Sequence, residues 1–391
     1  MVAPEGLAAF KNALDKEQFF YWVAIHNVEQ HMAEEHYPEL KTTVDDENLV
    51  KLRMRRDIES NFEDYDFTMY SEYARMARWM WTMQRRYPHL AKLLHLGTTH
   101  QERSIQGMKI GSPVNATNKR IVYIDGGMHA REWPSMHLAL YFINELLTKY
   151  GKDPQITNYL DKLNFYIIPC VNPDGYEFSR SSEVRLTRMW RKNMAPKNCN
   201  GSAYGTVRCC EGVDLNRNFD FHWGGRWGER NPCSDVFQGS SPFSEPESRA
   251  IRDLLLSPDV KGKVDAFVTL HTHGQLFIHS YNHKRKTYPD DIEDLKRVGQ
   301  QAIDAMESLQ GTKYQLGSAI DLLGKFGPST GGASDWAKSI GIKYSYGIEL
   351  PPEQTTWFAF IMKPHLLIPA AEETWLGVKV IIDAVLALNH L

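Results

Sequence analysis

Four short apolar runs rich in β-branched and aromatic residues alternate with longer helical patterns, and this alternation constrains the fold most. The strand-like runs lie at 120–124, 164–171, 266–270 and 343–350, and the helical patterns at 134–150, 245–256, 292–309 and 366–388. Nearly continuous apolar strands separated by helices are typical of a mixed, mostly parallel twisted sheet that helices cover on both faces. The sequence therefore predicts a single large α/β domain whose site lies at the carboxyl ends of strands.

The first 60 residues differ from the rest, because they are charged and helix-prone and contain no strand-like run. Their basic cluster RMRR at 53–56 either lies on an exposed linker open to a processing protease or forms a solvated helix face. A compact domain is expected from about residue 66, with Ser71 capping its first helix. We therefore predict a short helical N-terminal segment, 1–60, followed by one domain over 66–391.

Charge and hydropathy exclude several classes of partner. The 391 residues carry a formal net charge of −3, and no charge block or basic face marks a nucleic-acid or acidic-membrane surface. Apolar stretches are interrupted well before the roughly 18 residues that a membrane span requires. The first residues lack a basic region followed by an apolar core, so no signal peptide is visible. We expect a monomer with no nucleic-acid or membrane partner.

The five cysteines fall into two groups. Cys170 stands alone in the apolar run YIIPC and is predicted to be a buried free thiol. The other four lie in a glycine- and asparagine-rich region and fit two disulfides, most simply Cys199–Cys209 and Cys210–Cys233. A bridge between the adjacent Cys209 and Cys210 would be strained. Disulfides persist in oxidising compartments, so the composition favours a secreted protein.

The stretch GGMHAREW at 126–133 follows the first apolar run and presents His129 and Glu132 where a strand ends and a helix begins. Two glycines allow a sharp turn there, and zinc takes nitrogen and oxygen donors of this kind. Alone, the H-x-x-E pattern arises often by chance, and it would more often indicate helix capping or a salt bridge. The run at 266–270 leads directly into His271, which would complete a three-ligand set with one position left for water. A lone histidine at that position would more often be a hydrogen-bonded core residue.

Ordered motifs along the chain resemble those of zinc metallocarboxypeptidases of the carboxypeptidase A/B type, from about residue 66 to the C-terminus. Besides GGMHAREW they are NPDG at 172–175, RMWRKN at 188–193, GVDLNRNF at 212–219, LHTHGQL at 270–276, STGGASDW at 329–336 and IKYSYGIEL at 342–350. The resemblance implies hydrolysis of the C-terminal peptide bond of peptides or proteins. It also implies one Zn²⁺ per chain, held by His129, Glu132 and His271.

The resemblance assigns further roles residue by residue. Glu349 matches the general base and Arg191 the arginine that stabilises the developing oxyanion. Asn216 and Arg217 match the pair that binds the terminal carboxylate, which a guanidinium fork can hold bidentately. Asp214 fits the carboxylate that orients a zinc-bound histidine. Without the resemblance, Glu349 would be interpreted as a salt-bridged glutamate, Arg191 as part of a solvated basic patch and Asp214 as a turn-forming aspartate.

Two positions depart from the family pattern near the substrate. The family usually has a tyrosine four residues before its Gly-Gly, where this chain has Gly327 with Phe326 beside it. His273 stands where tyrosine is common, and Arg131 corresponds to a basic residue of the entry subsites. Losing one hydrogen bond to a charged group costs about 1.5–3 kcal/mol. We therefore expect weaker substrate binding and intact metal chemistry.

Ser334 occupies the position that is acidic in family members that cleave terminal lysine or arginine. A neutral serine cannot offset a buried cation, so neutral C-terminal residues are expected. Asp335, one residue later, matches the aspartate that precedes tryptophan throughout the family. Asn282 and Thr269 add polarity to the predicted pocket, which leaves aromatic, aliphatic and small polar side chains as alternatives.

Two other functions remain open from the sequence. One is a catalytically silent secreted protein of the same fold that binds peptide C-termini, although a pure binder has no need of Glu349. The other is a zinc amidohydrolase or deacylase for small N-acyl amino acids, which the Asn216–Arg217 pair and the long specificity loop disfavour. The segment 1–60 resembles a shortened form of the family's inhibitory pro-segment.

Overall fold

The computed structural model describes residues 7–16, 65–181, 187–201, 207–225, 228–323, 327–353 and 360–388. The basic cluster at 53–56, Phe326 and most of the N-terminal segment lie outside these residues. The first helix, α1 (Leu7–Lys16), is the part of that segment that the structure describes. The assignment of 1–60 as a pro-segment therefore stays a prediction.

The secondary-structure elements of the described residues alternate along the chain. The remaining helices are α2 (Tyr73–Arg86), α3 (Trp133–Lys149), α4 (Pro154–Lys162), α5 (Pro173–Arg180), α6 (Pro246–Leu255), α7 (Ile292–Gln310), α8 (Ala319–Leu322), α9 (Ala333–Ser339) and α10 (Leu367–Leu386). The strands are β1 (Ala91–Thr98), β2 (Ser104–Ile110), β3 (Arg120–Asp125), β4 (Leu163–Ile168), β5 (Asn198–Gly201), β6 (Val207–Cys210), β7 (Val264–Gly274), β8 (Leu276–His279), β9 (Gln315–Gly317) and β10 (Tyr344–Glu353).

Eight strands form one mixed sheet in the order β1-β2-β4-β3-β7-β10-β8-β9. The central strands β4, β3, β7 and β10 run parallel to one another, as do β8 and β9. Antiparallel pairings join β1 to β2, β2 to β4 and β10 to β8. Parallel pairings form the centre, where strands are buried on both faces. The predicted mixed, mostly parallel sheet is confirmed.

Side chains alternate across β3 into two separate hydrophobic cores. Val122 and Ile124 belong to the core that contains residues of α3, α7 and α10. Ile121 and Tyr123 belong to the core that contains residues of α6 and α9. Because successive strand residues point to opposite faces, the sheet is covered by helices on both sides, as the apolar runs predicted.

Two strands extend further than their apolar runs predicted. β7 continues to Gly274 and β10 to Glu353, so His271 and Glu349 lie inside paired strands and not at strand ends. Glu349 pairs in register with His271. Backbone hydrogen bonds need no apolar side chains, and a run of hydrophobic residues therefore underestimates the length of a strand whose polar residues have partners.

The prediction that Ser71 caps α2 is wrong. The helix begins at Tyr73, and the Glu72 side chain makes no cap hydrogen bond. The Tyr73 backbone N–H donates instead to Oε1 of Glu177 on α5, at 2.7 Å. A side chain distant in sequence can satisfy a helix terminus, and local patterns do not reveal this.

The cysteine predictions agree with the structure. Cys199 is bonded to Cys209 and Cys210 to Cys233, so two bridges join β5, β6 and the loop that follows. Cys170 is a buried free thiol. Among the described residues, no helix combines the length and apolar character that crossing a bilayer would take.

Candidate active site

The turn after β3 is built around two glycines that α3 packs against. Gly127 has φ +66°, and a Cβ added there would lie 2.6 Å from Cγ of Met136. A Cβ on Gly126 would overlap the backbone of Ser135. Only glycine tolerates both the left-handed conformation and the close approach of the helix. The turn thus delivers the next residues directly to the start of α3.

Glu132 occupies the N-cap position of α3 but makes no side-chain cap bond. Its carboxylate lies instead 2.9 Å from Nδ1 of His129 and 3.0 Å from Nδ1 of His271. The two Nδ1 atoms are 3.1 Å apart, and all three side chains are buried. The structure thus brings the three sequence-predicted ligands into one cluster.

The donor set fits a zinc ion. Donors about 2.1 Å from a tetrahedral metal lie roughly 3.4 Å apart, close to the separations of these three groups. Two imidazoles and one carboxylate are also ligands that zinc prefers in catalytic sites. His129, Glu132 and His271 are therefore the residues that could hold it.

The second ring nitrogen of each histidine has a partner. Nε2 of His129 lies 3.1 Å from Oδ1 of Asp214, and Nε2 of His271 lies 3.2 Å from Oγ1 of Thr269. Oγ1 of Thr269 donates in turn to Oδ1 of Asp125 at 2.6 Å. A proton held on each Nε2 leaves Nδ1 with its lone pair for a metal.

Asp125 and the hydrogen-bonding role of Thr269 were missed by the sequence reasoning, which assigned Thr269 only to the pocket. Asp125 is the last residue of β3 and is fully buried. The signal was a charged residue directly after the apolar run RIVYI, since a buried carboxylate needs a specific partner. Its partner lies on β7, and sequence proximity could not identify it.

Opposing effects set the ionisation of Glu132. Burial alone would raise the pKa of Glu132, but His129 and His271 together hold it well below its usual range. Burial likewise opposes ionisation of Asp214, whose pKa Arg191 and His129 nevertheless keep well below the ordinary value. Both carboxylates are therefore charged at neutral pH, as a metal ligand and its orienting partner must be.

Glu349 lies next to the cluster, and its pKa is shifted in the opposite direction to that of Glu132. Burial raises the pKa of Glu349 to about 7, and the charge of Glu132 acts in the same direction against the opposing effects of His271 and Arg191. A carboxyl group that titrates near neutrality can both accept and return a proton. This property suits the role that the resemblance assigns to it.

Asp214 also positions Arg191. Nε and Nη2 of Arg191 donate to Oδ2 of Asp214 at 3.0 and 2.9 Å, while Oδ1 faces His129. Nη1 of Arg191 lies 3.8 Å from Oε1 of Glu132. One carboxylate therefore orients both a candidate metal ligand and the adjacent cation.

Asn216 and Arg217 lie on the short 3₁₀ turn Leu215–Arg217, which Asp214 caps. Oδ1 of Asn216 accepts from the backbone N–H of Ala333 at 2.9 Å, and Nδ2 lies 3.5 Å from Nε2 of His271. Gly331 has φ +70°, and a Cβ there would overlap the carbonyl of Arg217. The predicted carboxylate-binding pair therefore packs between the metal cluster and residues 331–333, where the loop at 327–332 leads into α9.

Arg131 and His273 meet at an aromatic ring that the sequence analysis did not identify. The guanidinium carbon of Arg131 lies 4.2 Å above the ring of Phe360, and the His273 ring is 4.8 Å from it. Arg131 also donates to the Met189 carbonyl and pairs with Asp235 at 3.3 Å. No motif or spacing marks Phe360, because it joins these residues only in the folded chain.

Ser334 is buried at the start of α9, as its predicted place in the pocket requires. Its backbone carbonyl accepts from the hydroxyls of Ser280 and Ser345. The Asp335 carboxylate accepts two hydrogen bonds from Asn282, at 2.7 and 2.8 Å. The hydrogen-bond donors of Asn282 are thus paired with the Asp335 carboxylate, which leaves fewer polar groups free to bind a ligand.

Comparisons with known proteins give matches over most of the chain. The family model described as Zinc carboxypeptidase matches residues 76–377. Carboxypeptidase A2 of Rattus norvegicus is 36% identical over 322 residues, which cover 82% of this chain and 72% of the relative. Carboxypeptidase B of Astacus astacus is 34% identical, covering 82% of this chain and 98% of the relative. The crystal structure of thrombin activatable fibrinolysis inhibitor superposes with a TM-score of 0.82 at 28% identity, covering 97% of this chain and 86% of that one.

Proposed function

Because this chain belongs to the zinc carboxypeptidase family, we propose that it hydrolyses the C-terminal peptide bond of peptides or proteins and releases single, mainly neutral residues. The observation that carries the proposal is the cluster of His129, Glu132 and His271, with Glu349 in register beside it. Zinc, when bound, supplies a Lewis acid that polarises the scissile carbonyl and makes water easier to deprotonate.

The chain's own groups supply the remaining steps. Arg217 and Asn216 bind the substrate's terminal carboxylate, which selects a chain end over an internal bond. Glu349 takes a proton from the attacking water and returns it to the leaving amine. Arg191, fixed by Asp214, stabilises the negative charge that develops on the carbonyl oxygen.

The neutral preference follows from the pocket. Ser334 carries no charge, and burial raises the pKa of the adjacent Asp335 to about 7, which weakens the negative charge it presents near neutral pH. A substrate lysine or arginine would therefore be buried without a counter-ion, which is costly. The relatives include both A and B carboxypeptidases, so family membership alone leaves this preference undecided.

We propose further that residues 1–60 act as a shortened pro-segment and that the protein is a secreted monomer. The two disulfides support an oxidising compartment. The pro-segment proposal is tested by removing residues 1–56 and measuring peptidase activity. Unchanged activity would contradict an inhibitory role.

One experiment separates the candidate functions. The zinc-loaded protein, with and without cleavage near Arg56, is incubated with a peptide library and the products are identified by mass spectrometry. Loss of single C-terminal residues, abolished by a chelator and restored by zinc, is expected. Intact peptides that remain bound would favour the silent binding protein, and turnover of only short acylated amino acids would favour the deacylase.

A further inference from the structure

A second cluster of metal-type ligands lies apart in sequence from the candidate active site. It joins His100, on the turn between β1 and β2, to Glu245 and Glu247 at the start of α6. Nε2 of His100 lies 2.9 Å from Oε2 of Glu245. One nitrogen and two carboxylate oxygens from the three residues lie within 4.8 Å of one another. This cluster shares no residue with the first.

The carboxyl groups of the two glutamates lie where water cannot solvate them. Glu245 is 4% exposed and Glu247 is fully buried. Oε1 of Glu247 is buried without a hydrogen-bond partner. In the part of the chain that the structure describes, neither glutamate pairs with a lysine or arginine, and the one ion pair is with His100. Burial raises the pKa of Glu247 to about 7, so the two adjacent carboxyl groups are stable together only when a proton or a cation lies between them.

Neighbouring groups hold these carboxylates in place. Nδ2 of Asn193 donates to Oε2 of Glu245 at 2.7 Å and to Oε2 of Glu247 at 2.9 Å. Oγ of Ser244 donates to Oε1 of Glu245 at 2.7 Å. Metal-binding carboxylates are usually oriented by such outer hydrogen bonds. The arrangement fixes both carboxylates and leaves Oε1 of Glu247 without a donor.

We propose that His100, Glu245 and Glu247 form a second divalent-cation site that takes Zn²⁺ or a transition metal of similar preference. One imidazole and two carboxylates suit zinc, whereas calcium favours six or more oxygens. His100 is the partly exposed member of the set, with 27% of its side chain accessible, and gives the ion a route in and room for water as a fourth ligand. Occupancy would link the β1–β2 turn to α6 and, through Asn193, to the segment that carries Arg191.

The test is the zinc content of the untagged full-length chain after equilibrium dialysis at fixed free zinc. Four proteins are compared: wild type, His100→Gln, His271→Gln and the matched control His95→Gln, which alters an exposed histidine of β1. We expect His100→Gln to bind one equivalent less than wild type, and His95→Gln to bind the same amount as wild type. Because His100 is partly exposed, its replacement is expected to leave the fold intact, which circular dichroism checks.

Equal zinc content in wild type and His100→Gln would overturn the proposal. It would indicate that the two carboxyl groups share a proton and not a metal ion. A thermal-unfolding series gives an independent measurement. Zinc should raise the midpoint of the His271→Gln variant, and it should not raise that of the His100→Gln/His271→Gln double variant. A loss specific to His271→Gln reports on the proposed function, and a loss specific to His100→Gln reports on this second site, so the two can fail separately.

Discussion

The metal-binding half and the substrate-binding half of the candidate site rest on different kinds of backbone. His271 and Glu349 lie on adjacent, registered central strands, and His129 lies on a turn locked by α3. The substrate half, with Asn216, Arg217 and the loop at 327–332, lies on short turns held by side-chain hydrogen bonds. The proposed metal ligands and base are thus attached mainly to paired central strands, whereas the proposed recognition residues lie on connecting segments, which tolerate sequence change better than paired strands do.

The largest effect should come from the metal half. Replacing Glu349→Gln keeps the size and removes the base, so kcat should fall by roughly 10²- to 10⁴-fold. Zinc content, measured by mass spectrometry of the metal, should not change. Glu372→Gln, an exposed glutamate of α10, is the matched control. Retention of wild-type kcat in Glu349→Gln would remove the general base from the account.

Arg217→Ala tests the substrate half at the next magnitude. Loss of a charge-assisted hydrogen bond of about 1.5–3 kcal/mol should raise KM roughly 10- to 150-fold for peptides with a free C-terminal carboxylate. The sharper measurement is the ratio of kcat/KM for free-acid and amidated peptides. This ratio should be large in wild type and much smaller in the variant, in which Asn216 alone remains to bind the carboxylate. An unchanged ratio would show that another group reads the chain end.

Thr269→Val breaks the chain of hydrogen bonds that runs from Asp125 to His271 while preserving side-chain shape. Removing a hydrogen-bond partner of a metal-binding histidine typically lowers metal affinity by about 10- to 100-fold. Zinc affinity from competition with a chelator should fall, and kcat at saturating zinc should change less. If affinity stays at the wild-type value, Thr269 does not orient the ligand.

Ser334→Asp would change specificity without touching the metal half. A carboxylate at this position can pair with a substrate lysine or arginine, so kcat/KM for basic C-termini should rise several-fold relative to neutral ones. Ser339→Asp, exposed at the end of α9, controls for added charge. An unchanged ratio of kcat/KM for basic and neutral C-termini would indicate that another residue forms the base of the pocket.

The smallest effect concerns stability and pH. Burial raises the pKa of Asp335 to about 7, in spite of its bonds from Asn282. The folded state then holds a proton that the unfolded chain releases near pH 4, so this group's contribution to the unfolding free energy falls as pH rises between about 4 and 7 and is constant above. Chemical denaturation of wild type and Asp335→Asn at several pH values should show a flatter profile in the variant. Parallel profiles would contradict this assignment.

Much of the metal half could be predicted from the sequence, because an apolar strand run followed by a polar residue is a local pattern. The apolar run before His271 and the Gly-Gly turn before His129 were visible without a structure. The resemblance supplied Glu349, Arg191 and Arg217, whose residue types alone favour ordinary surface or salt-bridge roles. The structure brings these residues together, and their catalytic and binding roles stay predictions.

The rest could not be predicted because it depends on contacts between distant segments. Asp125 finds Thr269 across neighbouring strands, and Phe360 joins Arg131 to His273. The strand lengths were underestimated for a related reason, since pairing of β7 with β10 continues through polar residues. A local sequence pattern indicates the conformation and burial that each residue favours, whereas these features depend on tertiary contacts between distant residues.

Asp214 uses one oxygen for His129 and the other for Arg191. Under the proposed function, affinity for the ion and stabilisation of the reacting oxygen therefore depend on the same carboxylate. A mutation that moves this carboxylate must disturb both properties together, so neither can drift independently as the sequence evolves.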